Sequence, residues 1–127
     1  MGTSKTYGLT HFAIKVKNVA RTLEFYQKIF DVTVMYQSPG WVQVQTPGSH
    51  DILVFEESRS RLVGQSGGIV HFGFRLKRPD DIDEMLARVK SAGAKIKEQG
   101  EFVPGSPYVF FYDPDGYEIE IWFEAEA

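Results

Sequence analysis

The fold of this chain is decided by a stretch that occurs twice, as GLTHFAIKV at residues 8–16 and as GIVHFGFRL at residues 68–76. Glycine, histidine and phenylalanine stand at the same places in both copies, and apolar and basic positions match after them. The chain contains only three histidines, and the repeat uses two of them, His11 and His71. Self-similarity at a fixed spacing indicates duplicated structural units, so we expect two related modules.

The first half of the chain predicts a strand, a helix and three further strands. Residues 9–16 alternate in the period-two pattern of a half-buried strand. Asn18 is suited to cap a helix, and an apolar stripe at steps of three and four residues follows it as far as Phe30. The remaining strands, separated by Pro-Gly turns, are predicted at residues 31–36, 41–46 and 51–55.

The second half repeats this order after a polar segment. A strand is predicted at residues 69–76, and a helix that Pro79 begins and Gly93 ends. Three more strands are predicted at residues 94–97, 108–112 and 117–123. The chain therefore predicts a single α+β domain of two βαβββ modules forming a curved mixed sheet around a cleft. The first module covers about residues 8–56, the linker about 57–67 and the second module about 68–123.

Composition excludes several classes of function. The 127 residues are 43% apolar, and 14 basic residues stand against 17 acidic ones, so no basic surface favours nucleic acid. No cysteine is present for a disulfide or a thiolate ligand. No apolar run approaches the roughly 20 residues of a membrane span, and the first residues do not read as a signal peptide. These features predict a soluble, cytoplasmic protein that binds neither nucleic acid nor membrane.

Strand alternation gathers a possible metal-ligand set on one side of the predicted strands. His11 and His71 should face away from the helices, into the cleft. On the last strand, Glu118, Glu120 and Trp122 should face the same way. Two histidines and one carboxylate, taken as Glu120, form the donor set typical of Fe(II), and Mn, Zn, Ni or Co also remain open. The competing interpretation is a simply solvated strand face, which we prefer for the third histidine, His50.

Three motifs resemble those of the vicinal oxygen chelate superfamily, which holds glyoxalases, bleomycin-resistance proteins, fosfomycin-resistance enzymes and extradiol dioxygenases. The motifs are LTHFAI at residues 9–14, VHFGF at 70–74 and FYDPDGYEIE at 111–120. The resemblance implies paired βαβββ modules around a metal, with one ligand from each of four equivalent strands.

Three of the family's four ligand positions match this chain, at His11, His71 and Glu120. Aligning residues 51–55 with 118–122 puts Leu53 at the fourth. The resemblance further implies a homodimer, in which a metal site can be shared between subunits. The three ligands would then come from one chain or from two, and the sequence leaves both arrangements open.

The resemblance leaves the reaction unassigned among lyase, isomerase and dioxygenase. Leu53 cannot ligate or take a proton, which disfavours glyoxalase I. Phe110 stands where extradiol dioxygenases carry a tyrosine. Fosfomycin-resistance transferases carry a threonine at the position of Ala13, and the acidic tail with Glu124 and Glu126 would repel a phosphonate.

A non-catalytic protein that binds a small molecule or drug, as bleomycin-resistance proteins do, is the alternative to a metal-dependent enzyme. Trp41, Phe55 and Trp122 would then line an aromatic cleft for a planar ligand, although all three also suit a core. The metal-ligand set favours the enzyme.

Four further residues are candidates for substrate chemistry. Glu118 and Tyr108 are candidate groups for proton transfer. Lys15 and Arg75 occupy matching positions of the repeat and are candidates to bind an anionic part of the substrate, or else form solvated strand ends.

Overall fold

The computed structural model describes residues 2–126 and divides the chain into two compact units, the first ending at Val63 and the second beginning at Gly64. Each unit contains one βαβββ module, built as a four-stranded mixed sheet with one α-helix. The predicted α+β class with two modules is therefore confirmed. The division falls within the segment that the sequence predicts as a linker.

In the first unit the strands lie in the order β1-β4-β3-β2, with β1 parallel to β4 and the other pairs antiparallel. A parallel pair cannot be joined by a tight hairpin, and the chain between β1 and β4 accordingly contains the helix. The elements are β1 (His11–Val16), α1 (Val19–Phe30), β2 (Thr33–Ser38), β3 (Trp41–Gln45) and β4 (Ile52–Glu57).

Helix α1 packs its apolar stripe on this sheet. The Asn18 side chain accepts a hydrogen bond of 2.9 Å from the backbone N–H of Arg21, which confirms the predicted cap. The Tyr26 ring lies 4.7 Å from that of Phe55, measured between centroids. The prediction that Phe55 binds substrate is wrong, because its side chain is only 1% exposed and belongs to this core.

The second unit repeats the topology, with the order β5-β8-β7-β6 and a parallel β5–β8 pair. Its elements are β5 (Phe72–Arg75), a 3₁₀ turn at Pro79–Asp81 leading into α2 (Ile82–Ser91), β6 (Ile96–Glu101), β7 (Pro107–Tyr112) and β8 (Glu118–Trp122). Gly93 follows α2 with a φ of 77°, the left-handed conformation expected where a helix ends. Within residues 2–126, no helix has the length and apolar character that a membrane crossing requires.

Strand β5 is shorter than the predicted strand over residues 69–76. The backbone N–H of Ile69 donates to the carbonyl of Ser66, so this residue belongs to a turn. Ile69 and Val70 are both exposed. Apolar character in these two residues therefore marks an exposed surface ahead of the strand rather than part of the strand.

The strand register corrects the alignment of the two modules. Gly73 pairs with Glu120, and its counterpart Ala13 pairs with Val54, not with Leu53. The turn between β3 and β4 is one residue longer than the turn between β7 and β8, which shifts everything after it. Val54 is the true counterpart of Glu120 and is buried, so the first module still offers no carboxylate there.

The turn before β8 is organised by a buried carboxylate. Asp113 Oδ1 accepts hydrogen bonds of 2.9 to 3.0 Å from the backbone N–H groups of Asp115, Gly116 and Tyr117. The Tyr117 phenol in turn forms a hydrogen bond with the backbone of Gly64, and burial raises the pKa of that phenol. This hydrogen bond connects Gly64, at the start of the second unit, to the turn that precedes β8.

Gly64→Ala should destabilise the fold by about 3 kcal/mol, since a crowded methyl adds to the cost of a left-handed non-glycine residue. Gly64 has a φ of 85°, and a Cβ there would lie 2.1 Å from the Asp115 carbonyl oxygen. Gly67 is the matched control, because its φ is 59° but a Cβ there meets nothing within 4 Å. Gly67→Ala should cost only about 1 kcal/mol. Urea unfolding measures both, and equal losses would contradict the packing argument.

Candidate metal centre

The second unit brings together His71 and Glu120, two of the three predicted ligands. His71 immediately precedes β5, while Glu120 lies on the adjacent strand β8 and pairs with Gly73. The distance from His71 Nε2 to Glu120 Oε1 is 3.2 Å. The imidazole side chain is 33% exposed and the carboxylate side chain 13%. A partly enclosed nitrogen and oxygen donor thus face each other.

The other nitrogen of the same imidazole faces Glu118. His71 Nδ1 lies 3.5 Å from Glu118 Oε2, and Lys97 Nζ donates a 2.8 Å hydrogen bond to Glu118 Oε1. Nδ1 is buried, and no group in residues 2–126 forms a hydrogen bond with it. The ring therefore stands between two carboxylates, one at each nitrogen. Glu118 is not placed to share a metal ion with Glu120 at Nε2.

Alternation along β8 puts these groups on one face of the sheet. Ile119 and Ile121 are fully buried, whereas Glu118, Glu120 and Trp122 are partly exposed, as the sequence predicts. Phe110, on β7, pairs with Glu120 and contacts the His71 ring edge-on at a centroid distance of 5.0 Å. The phenyl ring limits how far the imidazole can tilt.

Burial is the main influence on the pKa of the Glu120 carboxyl group. Desolvation raises its pKa above the ordinary glutamate value, and Glu124 and Glu118 act in the same direction. His71 opposes this by favouring the charged form, through both its charge and a hydrogen bond. The net upward shift of the pKa means that the interactions of this carboxylate in the metal-free protein do not fully offset the cost of burying its negative charge.

The donor set fits a divalent metal ion. Two ligands bound about 2.1 Å from one ion and roughly at right angles lie about 3 Å apart, close to the observed separation of the His71 and Glu120 donor atoms. A cation would also stabilise the desolvated carboxylate. Taken separately, neither unit contains, among its described residues, three or more His, Cys, Asp or Glu side chains arranged to hold a metal. His71 and Glu120 are therefore two candidate ligands, which on their own do not complete a metal site.

The first unit holds the other two histidines. His11 opens β1 and pairs with Ile52 in the parallel ladder. His50 lies in the turn before β4, where its exposed ring stacks on Tyr7 at a centroid distance of 3.8 Å. The exposed position of His50 agrees with its interpretation as a surface residue.

The remaining sequence candidates have structural partners. Tyr108 donates a hydrogen bond to the Glu98 carboxylate, and this bond raises the pKa of the phenol. Arg75 Nη2 donates a 3.0 Å hydrogen bond to the backbone carbonyl of Glu124. Lys15 lies exposed on β1. Tyr108 thus keeps its proton and is suited to donate rather than to act as a base.

An open pocket of about 380 Å³ lies beside Glu120 in the second unit. Trp122 forms part of its wall, and the Trp122 Nε1 donates a 2.8 Å hydrogen bond to Glu124 Oε1. The indole lies over Gly73, where a Cβ would come within 2.8 Å of Cζ3. The described lining residues include no lysine or arginine; they are Phe102, Val103, Ser106, Glu120, Trp122, Phe123 and Glu124.

Sequence reasoning did not identify Lys97 or the pocket residues around Phe102. The register of β6 skips at Lys97, since Ile96 pairs with Phe111 and Glu98 with Phe110. A bulge re-aims a side chain without leaving a clear sequence signal, so simple alternation does not reveal this lysine. The repeat did contain a signal for the pocket wall formed by Trp122. Glycine stands at position 73, under the indole, where the first copy of the repeat has alanine at position 13.

The model of the Glyoxalase/Bleomycin resistance protein/Dioxygenase superfamily matches residues 8–121 of this chain. The chain belongs to this superfamily. The match spans both modules and includes His11, His71 and Glu120, so the family expected from the sequence motifs is confirmed.

Relatives of this chain include a manganese-dependent enzyme and a protein that was solved with Mn(II) bound. A fosfomycin resistance protein FosX from Listeria innocua is 27% identical, over 90% of this chain and 87% of the relative. A manganese-dependent 2,3-dihydroxybiphenyl 1,2-dioxygenase from Geobacillus genomosp. 3 is 22% identical over 91% of this chain but only 36% of that protein. A FosX mutant from Listeria monocytogenes, solved with Mn(II) and 1S,2S-dihydroxypropylphosphonic acid, has 26% identity and a TM-score of 0.75 over 91% of this chain and 89% of that chain.

The raised pKa of Glu120 predicts a pH-dependent stability difference in the metal-free protein. The folded state holds this proton more tightly than the unfolded chain, so the associated stability is complete below the unfolded pKa and is lost as the pH rises through the folded value. Glu120→Gln lacks this titration. It should gain stability relative to the wild type as the pH rises from about 4 towards neutrality. Unfolding with a chelator present measures the difference, with the exposed Glu24→Gln as control; a constant difference for Glu120→Gln would contradict it.

Proposed function

We propose that this protein is a divalent-metal-dependent enzyme whose small substrate chelates the metal through two neighbouring oxygen atoms. The carrying observation is the facing pair of His71 Nε2 and Glu120 Oε1, 3.2 Å apart beside an open pocket. His11 supplies the third protein ligand in this proposal, from the same chain or from a partner subunit. Mn(II) is the first candidate metal, since FosX was solved with Mn(II) and the dioxygenase relative is manganese-dependent.

The bound metal would act as a Lewis acid on the chelating oxygens of the substrate. His71 and Glu120 would hold it at the pocket wall, where low exposure of the carboxylate strengthens electrostatic interactions. Trp122 and Phe102 would bind the apolar part of the substrate. Tyr108, kept protonated by Glu98, is the candidate proton donor, and a lyase, an isomerase and a dioxygenase all remain compatible with this arrangement.

A homodimer is part of the proposal. Apolar residues one or two positions before each repeat histidine are exposed: Leu9 is 96% exposed, Ile69 59% and Val70 70%. Exposed apolar surface is typical of protein interfaces. If a site is shared between subunits, metal affinity should fall as the protein is diluted towards monomer, which titrations at several protein concentrations would measure.

Removing a proposed ligand should abolish stabilisation by Mn(II). At a free metal concentration of 100 times Kd, the wild type should gain about 2.7 kcal/mol, seen as an increase in Tm. His71→Ala, Glu120→Gln and His11→Ala should each lose that increase, while the control His50→Ala should keep it.

Each outcome of this metal experiment has a defined meaning. A wild type that gains no stability from Mn(II), Fe(II), Zn(II), Ni(II) or Co(II) would overturn the enzyme proposal. If that protein still bound small aromatic ligands, the non-catalytic binder would take its place. An unchanged response in His11→Ala alone would remove only the third ligand.

Fosfomycin modification is the second candidate function, favoured by the FosX relatives. The pocket argues against it, because Glu124 and Glu120 line it and no basic residue among its described lining residues would bind a phosphonate. The composition of the wall instead favours a neutral substrate with an aromatic or apolar body and adjacent oxygens. The two candidates therefore differ in the charge of the substrate.

The Mn(II)-loaded protein should bind a neutral vicinal diol such as catechol, but should not consume fosfomycin. Phosphorus NMR follows fosfomycin, and manganese EPR reports binding of the diol. Glu124→Gln should strengthen phosphonate binding about five-fold, the effect of roughly 1 kcal/mol between unit charges near 4 Å in water. Glu126→Gln is the control outside the pocket lining. Rapid fosfomycin turnover by the wild type would instead establish the second candidate.

A further inference from the structure

The buried Nδ1 of His71 requires an explanation that the proposed metal site does not by itself supply. A buried polar nitrogen without a hydrogen bond is uncommon, and Glu118 Oε2, at 3.5 Å, is the carboxylate that faces it. Glu118 is only 14% exposed, so it does not behave as an ordinary solvated side chain. These observations point to an interaction between Glu118 and the ring that a small tilt would complete.

We propose that Glu118 is a positioning residue for His71. It fixes the orientation and tautomer of the imidazole ring so that Nε2 is free to bind the metal, and Lys97 in turn holds Glu118. The inference rests on the proposed function. A neutral imidazole carries one N–H, and only its other nitrogen can ligate a metal. A carboxylate that accepts from Nδ1–H favours the tautomer with the proton on Nδ1, in competition with the Nε2–H that donates to Glu120 in the metal-free protein. Outer carboxylates tune histidine ligands in this way.

Lys97 gives Glu118 a fixed geometry. The Lys97 ammonium donates a hydrogen bond of 2.8 Å to Glu118 Oε1, so Glu118 Oε2 is the oxygen that faces the imidazole. The hydrogen bond with Glu118 raises the pKa of Lys97, so the lysine stays charged and offsets the charge of a carboxylate close to Glu120. Lys97 lies on β6 and Glu118 on β8, so the lysine side chain reaches across β7. Phe110 restricts the ring from its edge.

Comparison of the modules argues that this pair is not required by the fold. The register places Ile52 at the counterpart of Glu118 in the first module, as His11 pairs with Ile52 one step before Phe12 pairs with Leu53. The β2 register likewise skips at Met35, as the β6 register skips at Lys97. An equivalent sheet therefore forms with methionine and isoleucine in place of lysine and glutamate.

The test measures metal affinity and imidazole tautomer separately. Glu118→Gln is isosteric, and Glu118→Ile copies the first module, so both should fold, as melting without metal verifies. Calorimetric titration with Mn(II) should show binding weaker by about 10-fold to 100-fold, while the control Glu24→Gln should match the wild type. Nitrogen-15 NMR of the metal-free proteins, at a pH where histidine is neutral, should show a smaller Nδ1–H fraction at His71 in both variants.

The outcomes separate this inference from the proposed function. If the wild type itself binds no Mn(II), the metal-dependent function fails. If the wild type binds but both Glu118 variants stay within about two-fold of it, the positioning role is overturned while the metal site stands. An unchanged tautomer fraction at His71 would overturn the role as well. Weaker binding together with a lower Nδ1–H fraction supports it.

Discussion

The parallel pairing of β5 with β8 is the constraint on which the candidate site depends. It places Gly73 opposite Glu120, with His71 two residues earlier on the chain and within reach of the carboxylate. The register of β8 is fixed by Ile119 and Ile121, which are fully buried. A slip of one residue would turn these isoleucines outwards and bury Glu120 instead. The hydrophobic core therefore determines where the polar site forms.

The two modules share a topology but differ at the positions that surround their histidines. In the second module, Gly73 admits the Trp122 indole, Glu120 faces Nε2 of His71 and Glu118 faces Nδ1. The corresponding positions of the first module are the small or apolar residues Ala13, Val54 and Ile52. Duplication supplied the scaffold twice, whereas the carboxylate chemistry is confined to one copy.

Periodicity and the repeat predicted much of the fold because burial imposes alternation on each strand. Asn18 marked the start of a helix because its side chain caps the backbone, and Gly93 marked the end of a helix because it adopts the left-handed conformation. The proximity of His71 and Glu120 followed from the faces of their strands. The error at Leu53 arose from turn length, because one extra residue before β4 shifts the register without disturbing the apolar pattern.

Two other features depend on tertiary structure that a sequence pattern does not specify. Phe55 suits a ligand cleft as well as a core, and only the packing of Tyr26 on it decides between them. Lys97 reaches Glu118 across an intervening strand, from a position where the register skips. No periodic rule connects residues on strands that are not neighbours. For the same reason the pocket wall, which gathers Phe102 and Trp122, follows from the fold rather than from a motif.

The charges around the candidate site bear on the choice of substrate, which membership of the superfamily does not by itself determine. Glu118, Glu120 and Glu124 stand close enough for Glu118 and Glu124 to raise the pKa of Glu120, and Lys97 is hydrogen-bonded to only one of them. A divalent cation would offset this excess of negative charge, which is why the donor set suits a metal. Once that cation is bound, the pocket side still carries Glu124 and aromatic rings, so an anionic substrate would gain attraction from the metal alone. A neutral chelating substrate would gain the same metal contacts without repulsion from Glu124, which favours it even though the FosX relative was solved with a phosphonic acid bound.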